Sequence, residues 1–283
     1  MIRMFSVVMI GLVLLAAFAS GGAQTGALEE QSLRILALST DKDIYSAREE
    51  VEILLTIYAP ANLSTVEVKV TGVKSSKGVN FVSYSNKTAL PAGETRITFT
   101  KTLPSCSSCA GISQGTYFID AAVSSGDTVV TATHSIAITS TANTVIPVNV
   151  AVEEVKRWTD NADAEIVVVD LRSAEEYDAG HIIGARSMPL ANLSNQTAAT
   201  VNTSKKIVIY SADGSNSSAA SELLMELGFE RVYPVIGGLQ AWNESGYAVV
   251  TTAEETPTAA PGFELALVIA ALMAGAYLTW RRR

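Results

Sequence analysis

The sequence has few charged side chains, and its lysines and arginines form no cluster apart from three arginines at its C-terminal end. Charged residues make up 17% of the 283 residues, against 48% hydrophobic residues, and the net charge is −8. Phosphate binding needs clustered basic side chains, so we predict no nucleic acid partner. Low charge, together with abundant serine, threonine, alanine and valine, favours β-rich modules outside the cytoplasm over a highly charged cytosolic enzyme.

Cysteine is equally scarce, with only Cys106 and Cys109 in the chain. A structural zinc site needs four ligands, and no second pair stands at a suitable spacing, so we predict no metal and no cofactor. In a cytosolic thioredoxin-like protein the C-x-x-C spacing would indicate redox activity. Here the pair lies between two predicted strands, which favours a local disulfide in an oxidising compartment. Redox activity or metal binding remains the alternative.

The first 23 residues follow the pattern of a secretory signal peptide. Arg3 precedes an apolar run over residues 7–19, and small residues follow at 20–23. This is the order of a charged n-region, an h-region and a cleavage site. A helix needs about 20 apolar residues to span a bilayer, and this run is shorter. Cleavage near Ala23 is therefore favoured over an uncleaved anchor.

The C-terminal end carries a second apolar run, residues 265–280, followed by three arginines. Basic residues flank the cytoplasmic side of membrane segments, which predicts a transmembrane helix with its C-terminus inside. With Pro261, Gly262 and Phe263 before it, the tail resembles the PGF-CTERM sorting signal of archaeal surface proteins. The resemblance implies that an archaeosortase removes the tail and that a lipid anchor replaces it. A permanent single-pass helix is the alternative.

Both ends therefore place the bulk of the chain outside the cell, held at a membrane. Seven Asn-x-Ser/Thr sequons agree with that location, because such asparagines accept glycans in secreted chains. The candidate acceptors are Asn62, Asn86, Asn192, Asn195, Asn202, Asn216 and Asn243.

Residues 33–140 show the pattern of a β-sandwich. Apolar and polar residues alternate over residues 50–57, 66–71, 95–100, 117–123 and 135–139, with turn-forming clusters between them. Several short strands at such spacing predict two packed sheets. The Asp-Lys-Asp-Ile-Tyr segment at residues 41–45 resembles the opening of immunoglobulin-like modules of prokaryotic surface proteins, which implies an immunoglobulin-like fold.

Residues 145–250 change to alternating strands and helices. Apolar runs at 166–169, 207–210 and 232–235 predict buried strands, and residues 152–158 and 218–227 have helical spacing. This alternation predicts a parallel sheet with helices on both faces. A linker rich in Thr, Pro and Ala follows at residues 251–260.

Two motifs in this region carry a family resemblance. Their residues are Asp170, Arg172, Gly180, His181 and Gly184 in the first, and Gly237, Gly238 and Trp242 in the second. Both motifs, in this order and at this spacing, closely resemble the signatures of rhodanese domains. The resemblance implies an α/β rhodanese-like fold and an internal ion pair between Asp170 and Arg172. It also implies a structural turn around His181 and a packing role for Trp242.

Rhodaneses place a catalytic cysteine directly after a strand, in a loop that opens a helix. Inward N–H groups and the helix N-terminus bind an anion or a persulfide there, and cationic neighbours lower the pKa of the cysteine. The matching residues of this chain are Ser211, Ala212, Asp213, Gly214, Ser215, Asn216 and Ser217.

This loop departs from the family pattern at several positions. Ser211 stands at the cysteine position, so no persulfide can form there. Ala212 and Asn216 stand where arginine is common, and Asp213 adds a negative charge. Serine catalysis would need a general base beside Ser211, and His181 belongs to the structural turn. We expect no catalytic residue, with Ser211 buttressing the loop and any glycan on Asn216 at its mouth.

The sequence thus predicts a membrane-anchored cell-surface protein whose inactive rhodanese-like domain is a binding or structural module. The implied partners are the membrane, another surface protein, and an archaeosortase if the tail is processed. The alternative is an extracytoplasmic sulfurtransferase or thiol redox protein that works through Cys106 and Cys109. The predicted order is a signal peptide (1–23), an immunoglobulin-like β-sandwich (33–140), a rhodanese-like domain (145–250), a linker (251–260) and a sorting tail (261–283).

Overall fold

A computed structural model of the chain describes residues 32–106, 111–193 and 204–255. The predicted signal peptide and sorting tail lie outside these ranges, as do Cys109, Asn195 and Asn202. Within the three ranges, every helix is too short or too polar to cross a membrane.

Eight strands form the N-terminal region: β1 (Arg34–Thr40), β2 (Ile44–Ser46), β3 (Glu50–Ala59), β4 (Leu63–Lys74), β5 (Asn80–Leu90), β6 (Gly93–Thr102), β7 (Gly115–Ser125) and β8 (Thr128–Thr139). They make a three-stranded sheet, β1-β3-β6, and a five-stranded sheet, β2-β8-β7-β4-β5. Ile53 and Leu55 of the first sheet share one apolar core with Val68 and Ile119 of the second. A β-rich region is therefore present, and its immunoglobulin-like assignment stays a prediction.

The C-terminal region alternates helices and strands: α1 (Val152–Asp160), β9 (Ile166–Asp170), α2 (Ala174–Ala179), β10 (Arg186–Ser187), a 3₁₀ turn (Leu190–Asn192), β11 (Lys206–Tyr210), α3 (Ser217–Glu226), β12 (Val232–Pro234), α4 (Gly238–Glu244) and α5 (Thr252–Glu255). The strands pair in parallel in the order β10-β9-β11-β12. The predicted α/β architecture is confirmed.

Helices cover both faces of the parallel sheet. Successive side chains of a strand point to opposite faces, so β11 contributes to two cores. Val208 and Tyr210 pack with α1 and α4, whereas Ile207 and Ile209 pack with α3. This two-sided burial is the reason that the strand reads as an unbroken apolar run.

The β-rich region and the α/β region are joined through Asp43, which lies between β1 and β2. Its carboxylate accepts hydrogen bonds from Lys206 Nζ at 3.0 Å and from the Tyr233 hydroxyl at 2.7 Å. Arg231 Nη2 lies 3.4 Å from the same carboxylate. Burial alone would raise the pKa of Asp43, but the charge of Lys206 and these hydrogen bonds outweigh it, and the pKa is lowered.

A second polar cluster joins β8 to α1. His134 Nδ1 lies 2.6 Å from Glu154 Oε1, and the two side chains are only 5% and 1% exposed. Glu154 Oε2 accepts hydrogen bonds from the amide and the hydroxyl of Ser135. Ala137 of β8 packs into the apolar core beneath α1. Separating the regions would leave these buried polar groups without partners, so the junction holds them in one orientation.

The first residues of the predicted linker contact the α/β region. Val250 and His181 exchange backbone hydrogen bonds of 2.9 Å in both directions. In α5, the Thr252 hydroxyl donates to Asp178 Oδ1 at 2.6 Å. The chain therefore stays on the α/β region to Glu255.

Candidate functional site

The loop of residues 211–217 connects the carboxyl end of β11 to the N-terminus of α3. In open parallel sheets, ligands bind beyond the carboxyl ends of the strands, so this loop lies at the expected edge. Ser211 is only 2% exposed, and it follows the fully buried Tyr210. Burial raises the pKa of Tyr210 above its ordinary value. Tyr210 therefore stays protonated and offers no general base to Ser211.

The loop satisfies several of its own amides. Gly214 N–H donates to Ser211 Oγ at 3.0 Å, and Ser215 N–H donates to Asp213 Oδ1 at 3.0 Å. Ser217 N–H donates to the Gly214 carbonyl at 3.1 Å. Amides bound in this way do not point at an anion, so three donors of a potential anion cradle are used within the loop itself.

Helix α4 donates two backbone hydrogen bonds to the loop. Leu239 N–H donates to the Ser211 carbonyl at 2.9 Å, and Gln240 N–H donates to the Ala212 carbonyl at 2.8 Å. The close approach requires Gly238, whose φ is +56° and at which an added Cβ would lie 2.2 Å from the Ser211 oxygen. The first turn of α4 thus binds backbone carbonyls of this chain.

Arg172 forms an ion pair with Asp170. Arg172 Nε lies 3.0 Å from Asp170 Oδ1, and Nη2 lies 2.6 Å from Oδ2. Nη2 also donates to the Gly180 carbonyl at 2.7 Å. Because the fork of the guanidinium is directed at Asp170, its positive charge is matched inside the fold.

His181 and Trp242 pack into the fold. The His181 ring is fully buried, stacks on Tyr177 with centroids 3.7 Å apart, and places Nδ1 2.8 Å from the Tyr177 carbonyl. Trp242 is 1% exposed and donates from Nε1 to the Ala248 carbonyl at 3.0 Å. Neither side chain lines the cleft above the loop.

A cleft of about 620 Å³ lies above the loop. Its lining residues are Arg172, Ala212, Asp213, Ser215, Asn216, Leu239, Gln240, Asn243 and Glu244. Hydrogen bonds from the hydroxyl and amide of Ser215 lower the pKa of Asp213, so its carboxylate is ionised at neutral pH. With Glu244 also present and Arg172 already paired, the cleft has a negative balance of charge.

The comparisons with known proteins cover this region of the chain. A family model described as "Rhodanese-like domain" matches residues 151–245. The thiosulfate sulfurtransferase GlpE of Pseudoalteromonas translucida is 34% identical over 84 residues, which are 30% of this chain and 78% of that protein. The chain belongs to the rhodanese-like family. The β-rich region lies outside the match.

Other relatives match about a third of the chain. The thiosulfate sulfurtransferase GlpE of Coxiella burnetii is 28% identical over 92 residues, which are 32% of this chain and 85% of that protein. Among solved structures, a rhodanese-like domain from Anabaena is 34% identical and spans 30% of this chain and 98% of that chain, with a TM-score of 0.29. A rhodanese-related protein of Thermoplasma volcanium is 30% identical and spans 36% and 96%, with a TM-score of 0.32.

Of the predicted site residues, the structure brings Arg172 and part of the 211–217 loop together in one cleft of the rhodanese-like domain. It adds Gln240 and Glu244, which the sequence analysis had not singled out. The signal for Gln240 was the Gly237-Gly238 pair, because the helix that follows it places Gln240 against the loop. Glu244 is the last residue of the same helix and had no signal in the sequence. In the described part of the chain, no group of three His, Cys, Asp or Glu side chains is placed to hold a metal.

Cys106 lies in the β-rich region, outside the residues that match the rhodanese-like family. Its Sγ lies 3.8 Å from the Thr139 carbonyl, at the end of β8. Burial raises the pKa of its thiol, which lowers the fraction of reactive thiolate. Because Cys109 lies outside the described residues, the disulfide stays a prediction.

Proposed function

We propose that the rhodanese-like domain transfers no sulfur and serves as a binding or structural module of a membrane-anchored surface protein. The main support is the hydrogen bonding of the loop, in which Ser211 Oγ and the Asp213 carboxylate take the amides of Gly214 and Ser215. The resemblance implies that, in rhodaneses, amides of this loop bind an anion or a persulfide. In this chain the amides of Gly214 and Ser215 already have hydrogen-bond acceptors within the loop, so neither is left for a substrate.

Chemistry and charge both support an inactive loop. A serine oxygen at the cysteine position cannot carry the transferred sulfur as a persulfide. The ionised carboxylate of Asp213, in a cleft that Glu244 also lines, would repel thiosulfate, the anion in the names of the two sulfurtransferase relatives. Arg172 does not offset this charge, since Asp170 already neutralises it.

The surface location rests on the predicted signal peptide, the sorting tail and the sequons. All five sequon asparagines within the described residues are exposed, namely Asn62, Asn86, Asn192, Asn216 and Asn243. The intact mass of the protein extracted from membranes would report signal removal, tail processing, glycans and the Cys106–Cys109 bond together. A mass equal to that of the whole unmodified chain would contradict the proposal.

A thiosulfate:cyanide assay tests the loss of activity, with the Coxiella burnetii relative as the positive control. We expect no turnover above background from the purified full chain. The variant Ser211→Cys should restore little, because the charge of Asp213 and the occupied amides remain. Ser211→Ala is the matched control for packing. Robust activity of Ser211→Cys alone would show that the electrostatic and hydrogen-bonding reasons are wrong.

The alternative, sulfur or redox chemistry through Cys106 and Cys109, has less support. Cys106 lies by the end of β8, in the β-rich region. Asp43 of that region contacts Lys206 at the start of β11, whereas Ser211 follows the end of this strand. Turnover that disappears on Cys106→Ser would establish this alternative.

A further inference from the structure

Two of the sequon asparagines border the cleft above the loop of residues 211–217. Asn216 immediately precedes α3, and Asn243 lies in α4. Both side chains are exposed, and both line the same cleft of about 620 Å³. The fold therefore brings together two acceptor motifs that are 27 positions apart in the sequence.

The carboxamide of Asn216 is not used by the helix that it precedes. An asparagine at this position usually has an extended backbone and accepts a hydrogen bond from the first turn. Asn216 instead has φ −81° and ψ −8°, and its side chain makes no capping bond. Asn62 provides the contrast, since its Oδ1 accepts the Ala92 N–H at 2.9 Å. The Asn216 side chain is thus exposed and is not held by the first turn of α3.

The walls of the cleft suit a hydroxyl-rich occupant. Asp213, Ser215, Gln240 and Glu244 present oxygen and nitrogen atoms that can bond to hydroxyl groups, and Leu239 is the one large apolar residue among those lining it. The volume falls within the range of about 300–1,000 Å³ that small-molecule sites occupy. A neutral sugar avoids the repulsion that Asp213 and Glu244 would exert on an anion.

We infer that N-linked glycans on Asn216 and Asn243 cover this cleft and close the loop to solvent. The inference rests on the proposed extracytoplasmic location. The new bond joins C1 of the first sugar to Nδ2 of the asparagine. The bond that breaks joins C1 to a phosphate oxygen of a lipid-linked oligosaccharide donor. The phosphate leaves with the electron pair, and the proton lost from Nδ2 passes to a base of the transferase.

The first measurement is glycopeptide mass spectrometry. The full chain is extracted from membranes of cells that carry an oligosaccharyltransferase, and each sequon peptide is examined. We expect glycans on Asn216 and Asn243. Protease digestion of intact cells reads the surface location independently. Glycans on Asn62 or Asn86 with bare Asn216 and Asn243 would overturn the inference and leave the surface location standing.

The second measurement is access to the cleft. Ser215→Cys places a thiol in the cleft wall, and its labelling by a maleimide polymer is followed by peptide mass spectrometry. We expect several-fold slower labelling in the glycosylated protein, with the rate restored by Asn216→Gln combined with Asn243→Gln. Asn86→Gln, on the distant strand β5, is the matched control and should restore nothing.

Three further results would each count against the inference or against the proposed location. Equal labelling rates in glycosylated and glycan-free protein would show that the sugars do not cover the cleft. Surface-exposed protein without a glycan at any sequon would overturn the inference while the proposed location stands. Protein that is absent from the cell surface would instead contradict the proposed function on which the inference rests.

Discussion

Removal of the Asp43 carboxylate should destabilise the whole described part of the chain, because Asp43 joins its two regions. Asp43→Ala leaves Lys206, Arg231 and the Tyr233 hydroxyl without their common acceptor. We expect the β-rich region and the rhodanese-like domain to unfold in one transition in the wild type, and the variant to unfold at a lower temperature.

The magnitude follows from the three contacts. A hydrogen bond to a charged group contributes about 1.5–3 kcal/mol when it is well formed. The Tyr233 hydroxyl belongs to a residue only 1% exposed, so water does not replace its hydrogen bond to Asp43 and the full energy of that bond is lost. Lys206 and Arg231 keep 14% and 36% of their side-chain exposure, so water replaces part of their loss. We estimate about 3 kcal/mol in total, or about 6–12 °C in Tm for a unit of this size.

Calorimetry and tryptophan fluorescence provide the assay. Trp158 makes an edge-to-face contact with Tyr233, with ring centroids 5.7 Å apart, so its emission reports on the junction. Asp127→Ala is the matched control, because Asp127 is an exposed carboxylate in the turn between β7 and β8. Asp43→Asn keeps the side-chain volume and one acceptor, so its effect should be smaller than that of Asp43→Ala.

Two results would refute this reasoning. One is a Tm of Asp43→Ala that matches the Tm of Asp127→Ala. The other is a wild type that unfolds in two separate calorimetric transitions, only one of which changes the tryptophan emission. Either would mean that the junction contributes little to stability.

Three further outcomes are expected in the same measurements. Gly238→Ala should cost about 3 kcal/mol or more, because the new Cβ would collide with the Ser211 carbonyl in a left-handed backbone. Glu154→Gln should cost about 3 kcal/mol in denaturant unfolding, because it removes the buried partner of His134. Stability should also fall on acidification, because the lowered pKa of Asp43 gives stability that is present above its unfolded value near 3.9 and is lost as pH falls through the folded value.

Each outcome has its control. Gly228→Ala shares the left-handed strain, with φ +89°, but nothing lies within 4 Å of the new Cβ, so it should cost only about 1–2 kcal/mol. Equal effects of the two glycine variants would show that the contact with Ser211 is unimportant.

Glu153→Gln is the control for Glu154→Gln. It lies on the same turn of α1 as Glu154 and should be nearly neutral. In Asp43→Asn, stability should fall less steeply on acidification than in the wild type. An unchanged loss of stability at acid pH would mean that other carboxylates cause it.

The sequence was informative where local pattern and burial agree. The strands β9 and β11 read as apolar runs because both faces of the parallel sheet are covered, and their predicted positions match within a residue or two. The pairing of Asp170 with Arg172 was also predictable, because the resemblance to rhodanese domains implies it. In contrast, β5 was not singled out, since residues 80–90 are mostly polar on an edge strand.

The junction and the cleft could not be predicted, because they depend on residues far apart in the chain. Asp43 gave no sign that it would meet Lys206, 163 positions later. Glu244 and Asp213 likewise line one cleft because Gly238 allows α4 to approach the loop closely. A single sequence records which side chains are present, whereas these contacts follow from how the layers pack.

The pairing of His181 with Val250 has a mechanical consequence. If the tail holds the protein at a membrane as proposed, tension on the tail enters the fold at Thr252 and Val250. It then passes through the backbone hydrogen bonds to His181 and, from Gly180, through Arg172 to Asp170 in the sheet. Under such a load, the contacts of Thr252 with Asp178 and of Val250 with His181 would be the first to bear the force, and the C-terminal segment would detach from α2 when they break.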